Sequence, residues 1–148
     1  MAEQALALLD RRAIRLAERA TDRDDAIRRC GDVLVELGAV TPEYSESMLE
    51  RERSVPTFMG EGVAIPHGTL AGKDAVLRDA LAVLKFPEGV DWDGNPVTVC
   101  VAIAVRGDGH LALLAELAQV LLDPDRARAL REATEPDEVL ELLRGDDE

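Results

Sequence analysis

The chain has 148 residues, 47% of them apolar and 32% charged, which fits one soluble domain with a sizeable core and excludes a disordered chain. Thirty acidic against seventeen basic residues give a net charge of −13, a surface that repels phosphate backbones and anionic lipid. Tyr44, Phe58, Phe86 and Trp92 are the whole aromatic set, too few for a nucleic-acid stacking surface. The same acidity suits encounter with a basic protein partner, or simply solubility.

Residues 3–20 admit two readings. Leu6, Leu8, Leu9, Ile14, Leu16 and Ala17 would line a helix, while Ala13 to Ala17 would equally make a short strand. Thr21 is the expected cap of a clearer helix, with Asp22, Asp24 and Asp25 near its positive end. Its apolar face is Ile27, Cys30, Leu34 and Leu37, and Gly38 stops it. Thr41-Pro42 signals a second helix with proline at its first position, carrying Tyr44, Met48 and Leu49 to about Arg51 or Arg53.

A punctuated stretch from Pro56 to Gly68 follows. Val63 to Ile65 reads as a short extended piece, because Pro66 holds Ile65 in β-like geometry and offers no donor. Ala80 to Phe86 and Val97 to Val105 are two further strands, joined across PEGVDWDGNP as an antiparallel hairpin with a long loop. The second is uncharged on both faces and predicts a central, doubly covered strand. After a loop at 106–110, a helix is expected with Leu111, Leu114, Ala115, Ala118 and Leu121 on one face, ended by Asp123-Pro124. Residues 125–133 and Pro136 to Leu143 complete the helical set, and Gly145 to Glu148 read as a loose acidic tail. The pattern predicts a single α/β domain, helices around a few strands.

Cys30 and Cys100 lack metal or redox spacing and sit in apolar patterns, as buried thiols in a reducing compartment do. The N-terminal MAEQALALLDRR lacks the basic leader of a secretory signal, and the longest strongly apolar run, Val97 to Val105, is too short to span a bilayer. The expectation is a cytoplasmic protein.

Both histidines fall beside glycine on loops, where a partner can reach an imidazole. His67 follows a strand end. His110 lies between the buried strand and a helix start, where unpaired N–H groups favour an anion. Arg51, between Glu50 and Glu52, reads locally as a surface ion-pair residue, and Thr57 as a turn former or a hydrogen-bonding group. A metal site of His67, His110 and a carboxylate has no supporting ligand spacing.

Three segments taken together, Met48-Leu49-Glu50-Arg51-Glu52, Gly62-Val63-Ala64-Ile65-Pro66-His67-Gly68-Thr69 and Phe86-Pro87-Glu88-Gly89-Val90, resemble the mannitol/fructose-type IIA components of the phosphoenolpyruvate:sugar phosphotransferase system. The loop at 106–110 and the closing stretch Thr134 to Leu143 fit as well, so the resemblance runs over about residues 13–144. It implies a mixed sheet of about five strands with helices on both faces, and it favours the strand reading of Ala13 to Ala17.

The resemblance further implies that His67 accepts a phosphoryl group from phospho-HPr and passes it to a cysteine of the IIB component of a membrane permease. Arg51 matches an active-site arginine and His110 a second histidine beside the phosphorylated one; Gly109 departs from the polar or acidic residue common before it. No cofactor is implied. Neutral imidazole is a competent nucleophile, and phosphoryl transfer asks mainly for in-line positioning and neutralised oxygens, which a guanidinium fork, a second imidazole and a helix N-terminus supply. Cys100 is unsuited to a phosphocysteine role inside its apolar strand. The alternative within the same fold is a nitrogen-related regulatory IIA protein that acts by binding targets; PHGT and FPEGV look more mannitol-like. A binding module that is never phosphorylated would have no need of both His67 and Arg51.

Overall fold

The computed structural model describes residues 7–106 and 110–144. Five strands form one mixed sheet: β1 (Leu9–Arg15), β2 (Phe58–Gly60), β3 (Val63–Ala64), β4 (Ala80–Trp92) and β5 (Asn95–Ala104). Their order is β1-β4-β5-β3-β2, with β1–β4 and β5–β3 parallel and the other two pairs antiparallel. The helices are α1 (Arg23–Glu36), α2 (Tyr44–Ser54), α3 (His110–Leu121), α4 (Pro124–Glu132) and α5 (Pro136–Arg144), with a 3₁₀ segment at Leu70–Ala75. None of the described helices is long and apolar enough to cross a membrane.

The expected α/β architecture holds, and β5 is its centre. Val99 to Ala104 are buried without a break, which requires cover on both faces. One face, with Val83 and Val101 paired across strands, meets Leu117 and Leu121 of α3, Leu130 of α4 and Val139 of α5. On the other face, the Cys100 thiol meets Cys30 of α1. Both cysteines are buried and unbridged.

Several boundaries differ from the sequence expectation for identifiable reasons. The strand reading of the N-terminal region holds, but the strand begins earlier, at Leu9. The cap of α1 is Asp22 rather than Thr21: its carboxylate accepts from the Asp25 N–H at 2.8 Å, and Asp25 accepts from the Thr21 N–H at 2.9 Å. At the other end Gly38, with φ 75°, lets its own N–H reach Val35 O while that of Ala39 reaches Leu34 O, a Schellman closure. Thr41-Pro42 forms a turn ahead of α2, which starts at Tyr44.

The long loop expected between the two apolar strands is mostly strand. The real turn is Asp93-Gly94, both with positive φ, the backbone that suits a two-residue hairpin. Phe86–Gly89 instead form a bulge opposite Thr98. Glu61-Gly62 makes a second such hairpin between β2 and β3, and β2 was not expected. The face of α3 also differs. Leu121 is buried as expected, with Leu113, Leu117 and Val120, whereas Leu114 and Ala118 are half-buried, Ala115 is exposed, and the Leu111 side chain lies outside the described residues. Exposed Ala112 and Ala115 extend the apolar pattern beyond the buried face, so the sequence does not announce that face. The acidic tail at 145–148 lies outside the described residues.

Candidate functional site

The His67 segment is fastened to the centre of the sheet. Immediately after β3, the Ile103 N–H of β5 donates to Pro66 O at 2.9 Å, and His67 pairs with Ile103 as an isolated parallel bridge. The sequence suggested an open loop; the ring is instead largely enclosed, with 7% of the residue exposed. Nδ1 of His67 stands 2.9 Å from Ile65 O. A carbonyl only accepts, so in the neutral imidazole the proton sits on Nδ1 and the lone pair on Nε2. The ring is thus both buried and held in one tautomer.

Helix α2 packs against the same segment. Tyr44, Ser47 and Arg51 follow at spacings of three and four, so they share one face. The Tyr44 hydroxyl donates to Ile103 O at 2.8 Å and accepts the Gly68 N–H at 2.9 Å. Burial, opposed by the Gly68 N–H, pushes the phenol up to about 12. Ser47 Oγ accepts the Thr69 N–H at 2.8 Å and lies 3.0 Å from Thr69 Oγ1. This close approach explains the glycine after His67: a Cβ on Gly68 would lie 2.6 Å from Tyr44 Cε1 and 2.7 Å from Ser47 Oγ.

Arg51, half-buried at the end of that face, donates from Nη1 to Val55 O at 2.6 Å. It forms no ion pair with Glu50 or Glu52 of the kind its sequence neighbourhood suggested, because Glu52 turns inward and is 2% exposed. Thr57 is buried as well, hydrogen-bonded to Glu52 and not a simple turn former. Thr57 O accepts the Ile65 N–H at 3.1 Å, one residue before Pro66. His110 opens α3 just beyond β5, as expected; its side chain lies outside the described residues. Burial, then a hydrogen bond with Cys30, raise the Cys100 thiol well above its ordinary value, so it is no nucleophile. Among the described residues no three His, Cys, Asp or Glu side chains converge as a metal site.

Sequence reasoning missed Glu52, Tyr44 and Ser47. The one available signal was the spacing that puts Tyr44 and Ser47 on the Arg51 face.

The family model for the phosphoenolpyruvate-dependent sugar phosphotransferase system, EIIA 2, matches residues 7–145. The chain belongs to this family. It is 40% identical over 121 residues to the mannitol-specific phosphotransferase enzyme IIA component of Staphylococcus aureus, covering 82% of this chain and 84% of that protein. It is 44% identical over 130 residues to a multiphosphoryl transfer protein of Escherichia coli O157:H7, covering 87% of this chain but only 35% of that protein. The chain thus spans about a third of the length of that larger relative. Among solved structures, the complex of enzyme IIAMtl and phosphorylated enzyme IIBMtl from Escherichia coli includes a chain that matches with a TM-score of 0.86 at 36% identity, over 93% of this chain and 99% of that one. This EIIA chain has the five-stranded mixed sheet expected of the family.

Proposed function

We propose that this EIIA chain is a phosphocarrier that takes a phosphoryl group from phospho-HPr on Nε2 of His67 and hands it to the IIB component of a mannitol permease, on the cytoplasmic side of the membrane. The observation that carries the reading is the Nδ1 contact with Ile65 O, which leaves the nucleophilic lone pair on Nε2. In the first step the bond between phosphorus and the donor imidazole breaks as the Nε2–P bond forms, and the donor leaves as a neutral imidazole. In the second, a IIB thiolate attacks the same phosphorus and His67 departs as its original Nδ1–H tautomer. Arg51 neutralises the equatorial oxygens during both transfers, and its planar fork suits two of them at once. His110, at the start of α3, donates a further hydrogen bond, and the helix N-terminus adds partial positive charge.

The mannitol assignment is supported by the Staphylococcus aureus relative and by the complex of IIAMtl with phosphorylated IIBMtl. Incubation of the purified chain with radiolabelled phospho-HPr tests the acceptor. One acid-labile phosphoryl group per chain is expected, and none in His67→Ala. Stoichiometric labelling of His67→Ala would refute the assignment.

A further inference from the structure

Glu52 is the one carboxylate buried among the described residues. Its Oε1 accepts from the Thr57 hydroxyl at 2.5 Å. Its Oε2 accepts the Thr57 N–H at 2.9 Å and the indole N–H of Trp92 at 3.0 Å. Trp92 itself is fully enclosed at the end of β4. Taking a carboxylate out of water is expensive even when it is well bonded, and apolar side chains of similar volume usually serve stability as well or better. Glu52 therefore invites a reason beyond holding the fold together.

Its connections supply one. Thr57 is gripped by Glu52 through both its hydroxyl and its N–H, and its carbonyl accepts the Ile65 N–H at 3.1 Å. Ile65 O in turn faces His67 Nδ1 at 2.9 Å. A continuous hydrogen-bonded chain thus runs from the indole of Trp92 through Glu52, Thr57 and Ile65 to the imidazole. The same grip closes the turn after α2, and within that turn Val55 O holds the Arg51 guanidinium at 2.6 Å. One buried side chain governs the placement of both groups.

We propose that Glu52 is a positioning residue for phosphoryl transfer, fixing through Thr57 both the peptide that orients His67 and the carbonyl that aims Arg51. This rests on His67 being the phosphoryl acceptor. Glu52 touches neither the phosphoryl group nor the reacting nitrogen. Its contribution is geometric, and a side chain that repeats its three links without its charge should serve. Glutamine does so: its carbonyl oxygen can accept from the Thr57 N–H and the Trp92 indole while its NH2 donates to Thr57 Oγ1.

The test compares Glu52→Ala, Glu52→Gln and Thr57→Val with wild type in two measurements. In single-turnover transfer from phospho-HPr, Glu52→Ala is expected to slow the step within the complex about 100-fold, with the half-saturating donor concentration unchanged, because small misplacements near reacting groups cost that much. Glu52→Gln should recover most of the rate. In ¹⁵N-histidine spectra of the unphosphorylated protein, wild type and Glu52→Gln should show His67 with its proton on Nδ1, and Glu52→Ala a mixture of tautomers. Should Glu52→Ala fail to fold by circular dichroism, Thr57→Val removes only the hydroxyl link and should change both readouts in the same direction by less. Wild-type rates with an unchanged tautomer in the folded variants would overturn the proposal. So would Glu52→Gln as slow as Glu52→Ala, or a loss confined to half-saturation. A wild-type protein not labelled on His67 would refute the acceptor assignment instead, and the tautomer measurement would still decide what Glu52 positions.

Discussion

The imidazole of His67 and the carbonyl of Ile65, two residues back along the chain, stand 2.9 Å apart, and that contact places the proton of the neutral ring on Nδ1. Pro66 between them contributes no N–H of its own, and its carbonyl is taken by the Ile103 N–H at 2.9 Å. The His67 segment is thereby tied to the central strand of the sheet rather than to a loose loop. A site carried on rigid elements holds its geometry between one partner and the next.

Arg51 is expected to matter for rate and not for folding. Its side chain is half-buried at the end of α2, outside the buried core, and donates to Val55 O. Loss of one preorganised donor typically removes about 2.7–4 kcal/mol of transition-state stabilisation, or roughly 10²–10³ in rate. Arg51→Ala should transfer that much more slowly in stopped-flow assays with purified phospho-HPr. Arg51→Lys should restore only part of the rate, because it lacks the planar fork. A wild-type rate in Arg51→Ala would reduce the residue to a surface group.

Tyr44 should give the protein an alkaline limit. Its phenol is pushed up to about 12 by burial, so between the ordinary value near 10 and that point the folded state holds a proton the unfolded chain has lost. The associated stability is complete below about pH 10 and disappears as pH rises through about 12, an effect on the order of 2–3 kcal/mol. Tyr44→Phe removes the hydroxyl that links Gly68 N to Ile103 O. It should be less stable at neutral pH by about 1–3 kcal/mol, since it leaves a buried donor and acceptor unpaired. Urea denaturation from pH 8 to 12 should then show the two proteins converging at the alkaline end; a constant difference would contradict the linkage.

Gly68→Ala tests the close packing of α2 on the His67 segment. The added methyl would lie 2.6 Å from Tyr44 Cε1 and 2.7 Å from Ser47 Oγ, so the helix or the loop has to move. Overpacking of this kind costs about 1–3 kcal/mol, and the displaced loop should slow transfer as well. Thermal melts and transfer rates identical to wild type would show that the contact yields without consequence.

Much of this arrangement was legible in the sequence. The uncharged run Val97 to Val105 announced a doubly covered central strand, and proline before His67 announced a strand end. The Asp93-Gly94 turn was hidden by Pro87 and Gly89 upstream, which belong to a bulge and made the whole stretch look like loop. The inner face of α3 was hidden because its exposed side also carries apolar residues, Ala112 and Ala115. Glu52 was unreadable for a different reason. Its partners are a backbone N–H and hydroxyl five residues on and an indole forty residues on, and no local pattern tells an inward carboxylate from a solvated one. Tyr44 and Ser47 likewise act on backbone groups distant in sequence, Gly68, Thr69 and Ile103.

The acidic surface should act on encounter and not on chemistry. With a net charge of −13, encounter with a basic partner surface would be steered by charge, which salt screens over about 8 Å at physiological ionic strength. The second-order rate of transfer from phospho-HPr should fall as salt rises, while the rate within the complex stays level. Stopped-flow measurements across a salt series separate the two, and a salt-independent second-order rate would leave the charge with solubility alone.

The most direct measurement is a ¹⁵N–³¹P correlation spectrum of the protein labelled with ¹⁵N-histidine and phosphorylated by phospho-HPr. The expected result is a single phosphorus coupled to Nε2 of His67, with Nδ1 still protonated toward Ile65 O. Phosphorus on Nδ1, or on any residue other than His67, would contradict the account.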